Sequence, residues 1–124
     1  MILAVVLDCD GTIINSQTAG VRIFVQLAEE FGCPLSPPNA ALLPRMWGTH
    51  WGDLLSRFLP SVNPDAFVAR WRDLERAQPG QYPPYTGARE AIETLRRYGH
   101  FLVLHTNRGW TDLLGERLEE AQLP

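Results

Sequence analysis

The sequence predicts an α/β fold: a parallel sheet, represented by about two strands, interrupted by an inserted α-helical block. Three observations predict it. Ile2 to Leu7 form a continuous apolar run that stops at Asp8 and Gly11. Phe101 to Leu104 form a second such run, which ends in His105-Thr106-Asn107. Helical periodicities fill most of the chain between them. Short apolar runs without alternation suit strands covered on both faces, and strands separated by helices join in parallel through right-handed crossovers.

The elements follow in order. After the first strand, Ser16 can cap a helix whose apolar positions are Val21, Phe24, Val25, Ala28 and Phe31; Gly32 and Pro34 stop it. A proline-rich loop with Pro37 and Pro38 leads to a short helix over residues 40 to 47, broken at Pro44. Trp47-Gly48-Thr49 reads as a turn. Trp51, Leu54, Leu55 and Phe58 give another short helix, closed by Pro60. Asn63-Pro64-Asp65 is a strong helix start: a capping side chain, a proline in the first turn, and an acid at the positive end of the dipole. Phe67, Val68, Trp71 and Leu74 mark its buried face. Gln78 to Tyr85, rich in Pro and Gly, is linker-like. Thr86-Gly87 opens a helix with the stripe Ala88, Ala91, Ile92, Leu95 and Tyr98, ended by Gly99. A last helix is expected from about Thr111 to Ala121. No internal repeat or low-complexity tract interrupts this order.

The helical block is longer than one crossover needs. We therefore expect residues 1–14 and 84–124 to form a partial core, and residues 15–83 an inserted cap over the carboxyl ends of the strands, where ligands bind in such sheets. The chain has 124 residues and a formal net charge of −3, which argues against a nucleic-acid partner. All 11 of its basic residues are Arg. Two cysteines, Cys9 and Cys33, make neither a zinc spacing nor a secreted disulfide framework. The apolar start is too short for a membrane span and lacks the features of a signal peptide, so the cytoplasm is the expected compartment and no membrane partner is expected.

The chemistry concentrates in Asp8-Cys9-Asp10-Gly11-Thr12. Two carboxylates two apart at a strand end can both reach a site above the sheet. Gly11 allows a sharp turn and lets its N–H face an anion. Such a pair suits magnesium, a hard cation that takes a few carboxylates and completes its shell with phosphate and water oxygens. One carboxylate can attack phosphorus while the other handles protons. Alone, an Asp-x-Asp-Gly run also fits a solvated turn or part of a calcium loop.

Val6-Leu7-Asp8-Cys9-Asp10-Gly11-Thr12-Ile13 resembles the first motif of the haloacid-dehalogenase-like (HAD) superfamily, and Val103-Leu104-His105-Thr106-Asn107 resembles the second. Tyr85-Thr86-Gly87-Ala88-Arg89-Glu90-Ala91 is similar to the segment returning from the helical cap in phosphoglycolate-phosphatase-like members. The resemblance implies a HAD-type Rossmann-like sheet with a helical cap, and a magnesium-dependent phosphatase acting on a small phosphorylated metabolite. It implies that Asp8 is the nucleophile and a metal ligand. Asp10 would be the general acid/base, and its carbonyl would also touch the metal. Gly11, Thr106 and Asn107 would hold the phosphoryl oxygens. The second acid favours phosphatase or phosphomutase chemistry over the dehalogenase branch.

The superfamily's third motif, a Lys or Arg, and its fourth, an acidic pair, lie on later strands. The resemblance therefore implies that this chain is the N-terminal part of a longer enzyme and impaired by itself. Two strands also leave an open sheet edge, suited to self-association or a partner chain. The competing reading is a non-catalytic relative that binds a phosphorylated ligand or such a partner. Among the remaining polar residues, Cys9 reads as a passive buried thiol. His50, His100 and His105 read as surface or packing residues. Strand alternation is expected to turn His105 to the side opposite Thr106. Trp47, Trp51 and Trp71 read as cap core, and Arg45 and Arg108 as solvated surface.

Overall fold

A computed structural model of the chain describes residues 1, 3–78 and 81–106. Asn107, Arg108 and the helix expected from Thr111 to Ala121 lie outside the described residues. The described residues form two strands and five helices. They belong to two compact units, Met1–Ser16 with Pro79–Pro124, and Gln17–Gln78.

In the first unit, β1 (Ala4–Asp8) pairs in parallel with β2 (Phe101–His105). The register runs from Ala4 opposite Phe101 to Asp8 opposite His105. Neighbouring residues in a parallel pair point to the same face, so the two strands share alternate faces. Val5, Leu7 and Leu102 are half-buried on one face. Ala4, Val6, Asp8, Phe101, Val103 and His105 are all exposed on the other. The expectation of a strand covered on both faces is therefore corrected. Among the described residues β1 has one neighbouring strand, and nothing described covers the second face.

Between residue 8 and the helical unit the chain makes a tight turn and then a short pairing. The carbonyl of Ile13 accepts the Tyr85 N–H at 2.9 Å, and the carbonyl of Pro83 accepts the Asn15 N–H at 2.7 Å. Ile14 and Pro84 form an antiparallel bridge. The outgoing and returning segments are thus tied together beside the sheet, with Ile13 and Ile14 buried. Gly87, at φ 83°, caps the described helix of this unit, Ala88–Arg97, where the linker-like stretch ends. A left-handed backbone costs other residues roughly 1–2 kcal/mol, which explains the glycine. That helix contacts β2. Of its expected stripe only Ile92 is buried, and Tyr98 is 77% exposed. Tyr98 is the residue at which helical dihedrals end, so the helical period no longer sets its direction.

The second unit holds four helices: α1 (Gln17–Glu30), α2 (Pro37–Met46), α3 (Trp51–Phe58) and α4 (Pro64–Ala77). In chain order the helix of the first unit, Ala88–Arg97, is α5. The buried face of α1 is Ala19, Gly20, Ile23, Phe24, Leu27 and Ala28. The expected stripe was turned by part of a helical step: it contains Phe24 and Ala28 but misses Ile23 and Leu27. The reason lies in size. Gly20 lets the Trp47 ring approach the α1 backbone so closely that a Cβ there would overlap it. Apolar periodicity alone does not reveal a contact made by an absent side chain.

The proline-rich helix also differs from expectation. α2 starts at Pro37, not at residue 40, and continues through Pro44 to Met46. Pro37 and Pro38 sit in the first turn, where backbone N–H groups have no helical partner to lose. Pro44 removes only one bond within the last turn, and its own carbonyl accepts from Gln17 Nε2 at 2.9 Å. The helix then ends two residues on. α4 begins as its sequence dictates: the Asn63 side chain accepts the Ala66 N–H at 3.0 Å.

An aromatic cluster fills this unit. Phe24 packs against Trp47, Trp51, Phe58 and Phe67, with the Phe67 ring 5.2 Å away. Trp51 and Trp71 meet edge to face at 4.7 Å. Each buried ring contributes about 1.5–3 kcal/mol through burial, with a further edge-to-face term of about 0.5–1.5 kcal/mol. Of the three tryptophans expected in the core, Trp71 is buried, while Trp47 and Trp51 are half-buried against it.

Candidate functional site at the carboxyl ends of the strands

The site starts from strand geometry. β1 carries its chain upward to Asp8, whose side chain is on the exposed face. Three successive N–H groups then converge on one acceptor. Thr12, Ile13 and Ile14 all donate to the Cys9 carbonyl, at 3.2, 2.9 and 3.2 Å. This winds residues 9 to 14 into one compact turn. Cys9 is fully buried at its base and is not in a disulfide with Cys33. Gly11 has φ 78°, so the turn needs the conformational freedom that glycine supplies.

The winding brings Thr12 back over Asp8. The Thr12 hydroxyl Oγ1 donates to Asp8 Oδ2 at 3.0 Å. One oxygen of an exposed carboxylate is thereby held. The sequence alone does not reveal this partner of Thr12; it becomes evident from the turn.

The role expected for the Gly11 N–H is changed. It donates to the Ile14 carbonyl at 2.9 Å, within the turn itself. In this conformation it closes the loop instead of facing an anion. Asp10, on the same turn, is half-buried. Thr106 is half-buried one residue beyond the end of β2. Asn107 lies outside the described residues.

The strand register also alters the reading of His105. It is the direct neighbour of Asp8 across the sheet, and both are exposed. Alternation along one strand compares His105 with Thr106. It says nothing about which residue of the other strand stands alongside. That requires the register, which no single strand contains.

The donor set can be tested against magnesium. Two carboxylates, an exposed Asp8 and a half-buried Asp10, are oxygen ligands of the type that ion takes, with substrate and water oxygens completing its octahedron. They fit part of such a shell. Among the described residues no group of three or more His, Cys, Asp or Glu could hold a metal ion unaided. Among them, too, no helix is long and apolar enough to cross a membrane.

Comparison with known proteins places this geometry in context. The family profile of the haloacid dehalogenase-like hydrolases matches residues 5–123. No curated protein matches the chain. Among solved structures, a hydrolase from Pseudomonas syringae superposes with a TM-score of 0.75 at 20% identity, covering 100% of this chain and 57% of its own. A HAD-superfamily hydrolase of subfamily IA, variant 1, from Geobacter sulfurreducens gives 0.65 at 25% identity, with 98% and 59% covered. A HAD family hydrolase from Deinococcus radiodurans, with bound phosphate and sodium, gives 0.66 at 21% identity, with 98% and 53% covered. The chain thus spans little more than half the length of these proteins.

Proposed function

Because the chain belongs to the haloacid dehalogenase-like hydrolase family, we propose that it carries the nucleophile half of a phosphohydrolase that cleaves a small phosphomonoester through an aspartyl-phosphate on Asp8. The observation that carries this reading is the exposed Asp8 carboxylate at the strand end, one oxygen of which is held by Thr12.

The chemistry balances as follows. An Asp8 carboxylate oxygen forms a bond to phosphorus as the bond to the leaving oxygen breaks. Asp10, protonated, gives its proton to that oxygen. Asp10 then takes a proton from water, whose oxygen attacks phosphorus. Inorganic phosphate departs and the Asp8 carboxylate is restored. Asp8 and Asp10 would hold magnesium, which supplies neutralising charge for the phosphoryl oxygens. Thr106 and Asn107 would bind those oxygens. Gly11 contributes the turn. Residues 15–83 act as the cap that selects the substrate, with 1–14 and 84–124 as the partial core; the compact helical unit Gln17–Gln78 supports this division. The substrate is a small phosphorylated metabolite of the cytoplasm.

The experiment is a rapid quench with a small phosphomonoester, with and without magnesium, followed by mass spectrometry of the peptide containing Asp8. A phosphate adduct that needs magnesium and disappears in Asp8→Asn is expected. An adduct that persists in Asp8→Asn sinks the reading. A second reading, a non-catalytic protein that binds a partner chain, is favoured by the exposed apolar side chains Val6 and Phe101, both 64% accessible. It predicts the same ligand binding without any adduct.

A further inference from the structure

The geometry points to His105 as a further phosphoryl-binding residue of the Asp8 site, an inference that rests on Asp8 being the nucleophile. Three observations lead to it. The register sets His105 directly opposite Asp8 at the carboxyl ends of β1 and β2. Adjacent strands lie about 4.8 Å apart, and register partners in a parallel pair point to the same face. The two side chains therefore start side by side, both exposed. Finally, this face beside Asp8 is otherwise apolar along the strands: Ala4 and Val6 below Asp8, Phe101 and Val103 below His105.

An imidazole in that position has a definite use. A phosphoryl group approaching the exposed Asp8 brings negative charge toward a carboxylate. It needs hydrogen-bond donors arranged around it, from side chains that do not themselves react. The Thr12 hydroxyl already donates to Asp8 Oδ2, and the Gly11 N–H to the Ile14 carbonyl. His105 offers a ring N–H in either neutral tautomer, and its strand fixes where the ring begins. A hydrogen bond from it to a phosphoryl oxygen would orient the group over Asp8 without entering the covalent step. The other described strand side chains on this face, Ala4, Val6, Phe101 and Val103, are apolar.

The test is a titration of the labelled 124-residue chain with inorganic phosphate, at fixed pH and in magnesium, followed by NMR. The chain has three histidines, so His50 and His100 serve as internal references. The expected result is a saturable shift of the His105 ring signals while the other two stay in place. His105→Ala should weaken phosphate binding about tenfold, the size of one hydrogen bond to a charged group. His105→Gln, which retains an N–H donor, should recover most of that loss; a purely packing role would not follow this pattern. If the amides of Asp8 and Thr106 respond to phosphate while the His105 ring does not, or if His105→Ala binds as the parent does, the inference is overturned and the nucleophile loop stands. If neither responds, both fall.

Discussion

A carboxylate that attacks phosphorus must present one oxygen along a defined line, and in water its rotamers average that direction away. Thr12 restrains Asp8 by taking Oδ2 at 3.0 Å. Thr12→Val keeps the shape and removes the donor. The rate of adduct formation on Asp8 should fall about threefold to tenfold, the worth of one exposed hydrogen bond, and Thr12→Ser should restore it. Quenched-flow rates for the three proteins check this; equal rates would mean that Asp8 is oriented by something else. At this scale the sequence was legible where function follows from residue type and spacing. Asp8, Asp10, Gly11 and Thr12 announce a turn with two carboxylates. Connectivity within the turn was not legible. That the Gly11 N–H would go to Ile14, and the Cys9 carbonyl would collect three donors, depends on dihedral angles that several sequences could satisfy.

Elements were legible wherever a local signal ends or starts them. Asn63-Pro64 fixes the start of α4, and the cap bond to Ala66 is the reason. Asn63→Ala should cost about 1 kcal/mol of stability, measured by denaturant unfolding. Which way a helix faces was less legible, as α1 shows. Its buried side is set by Gly20 and the Trp47 ring, a contact between segments far apart in sequence. Gly20→Ala should lose about 1–3 kcal/mol through overpacking, even though alanine is the better helix former. A stability unchanged or raised by that substitution would show that Trp47 can simply swing away. A tie between α1 and α4 has a pH signature. Arg70 donates to Glu30 through Nε at 2.9 Å. The hydrogen bond from Arg70, helped by Gln26, holds the Glu30 carboxyl below its ordinary value of 4.5. A lowered value in the folded state means the contribution is fully present above the ordinary value. It is lost as pH falls through the lowered one. Glu30→Gln should therefore lose this small contribution near neutrality and show a flatter loss of stability as pH falls below the ordinary value of 4.5. Parallel acid limbs in the parent and the variant would remove this pair from the account. Both side chains are well exposed, so the effect is small.

At the scale of the whole molecule, the α/β class and the long helical insert follow from two apolar runs separated by helical periods. What the runs could not show was coverage. A run such as Ile2–Leu7 reads as buried on both faces because its composition suits that environment. Composition records the environment a strand is suited to, and neighbours decide whether it is met. Here Val6 and Phe101 are each 64% exposed, and Val103 39%, on one continuous face. The backbone of β1 has a single neighbouring strand among the described residues. Apolar surface and unpaired backbone at the same place are the two ingredients of edge-to-edge and face-to-face association. The chain should therefore associate as its concentration rises, and bind an apolar dye while doing so. Val6→Thr with Phe101→Thr puts strand-compatible, β-branched threonine at both positions and removes much of the apolar face. That variant should shift the onset of association to higher concentration in light scattering, leaving the helical unit's circular dichroism unchanged. The argument fails if the parent chain stays monomeric over the full concentration range. It also fails if the double variant associates as readily as the parent, because the helical unit or the bare edge would then be responsible and the open face would not.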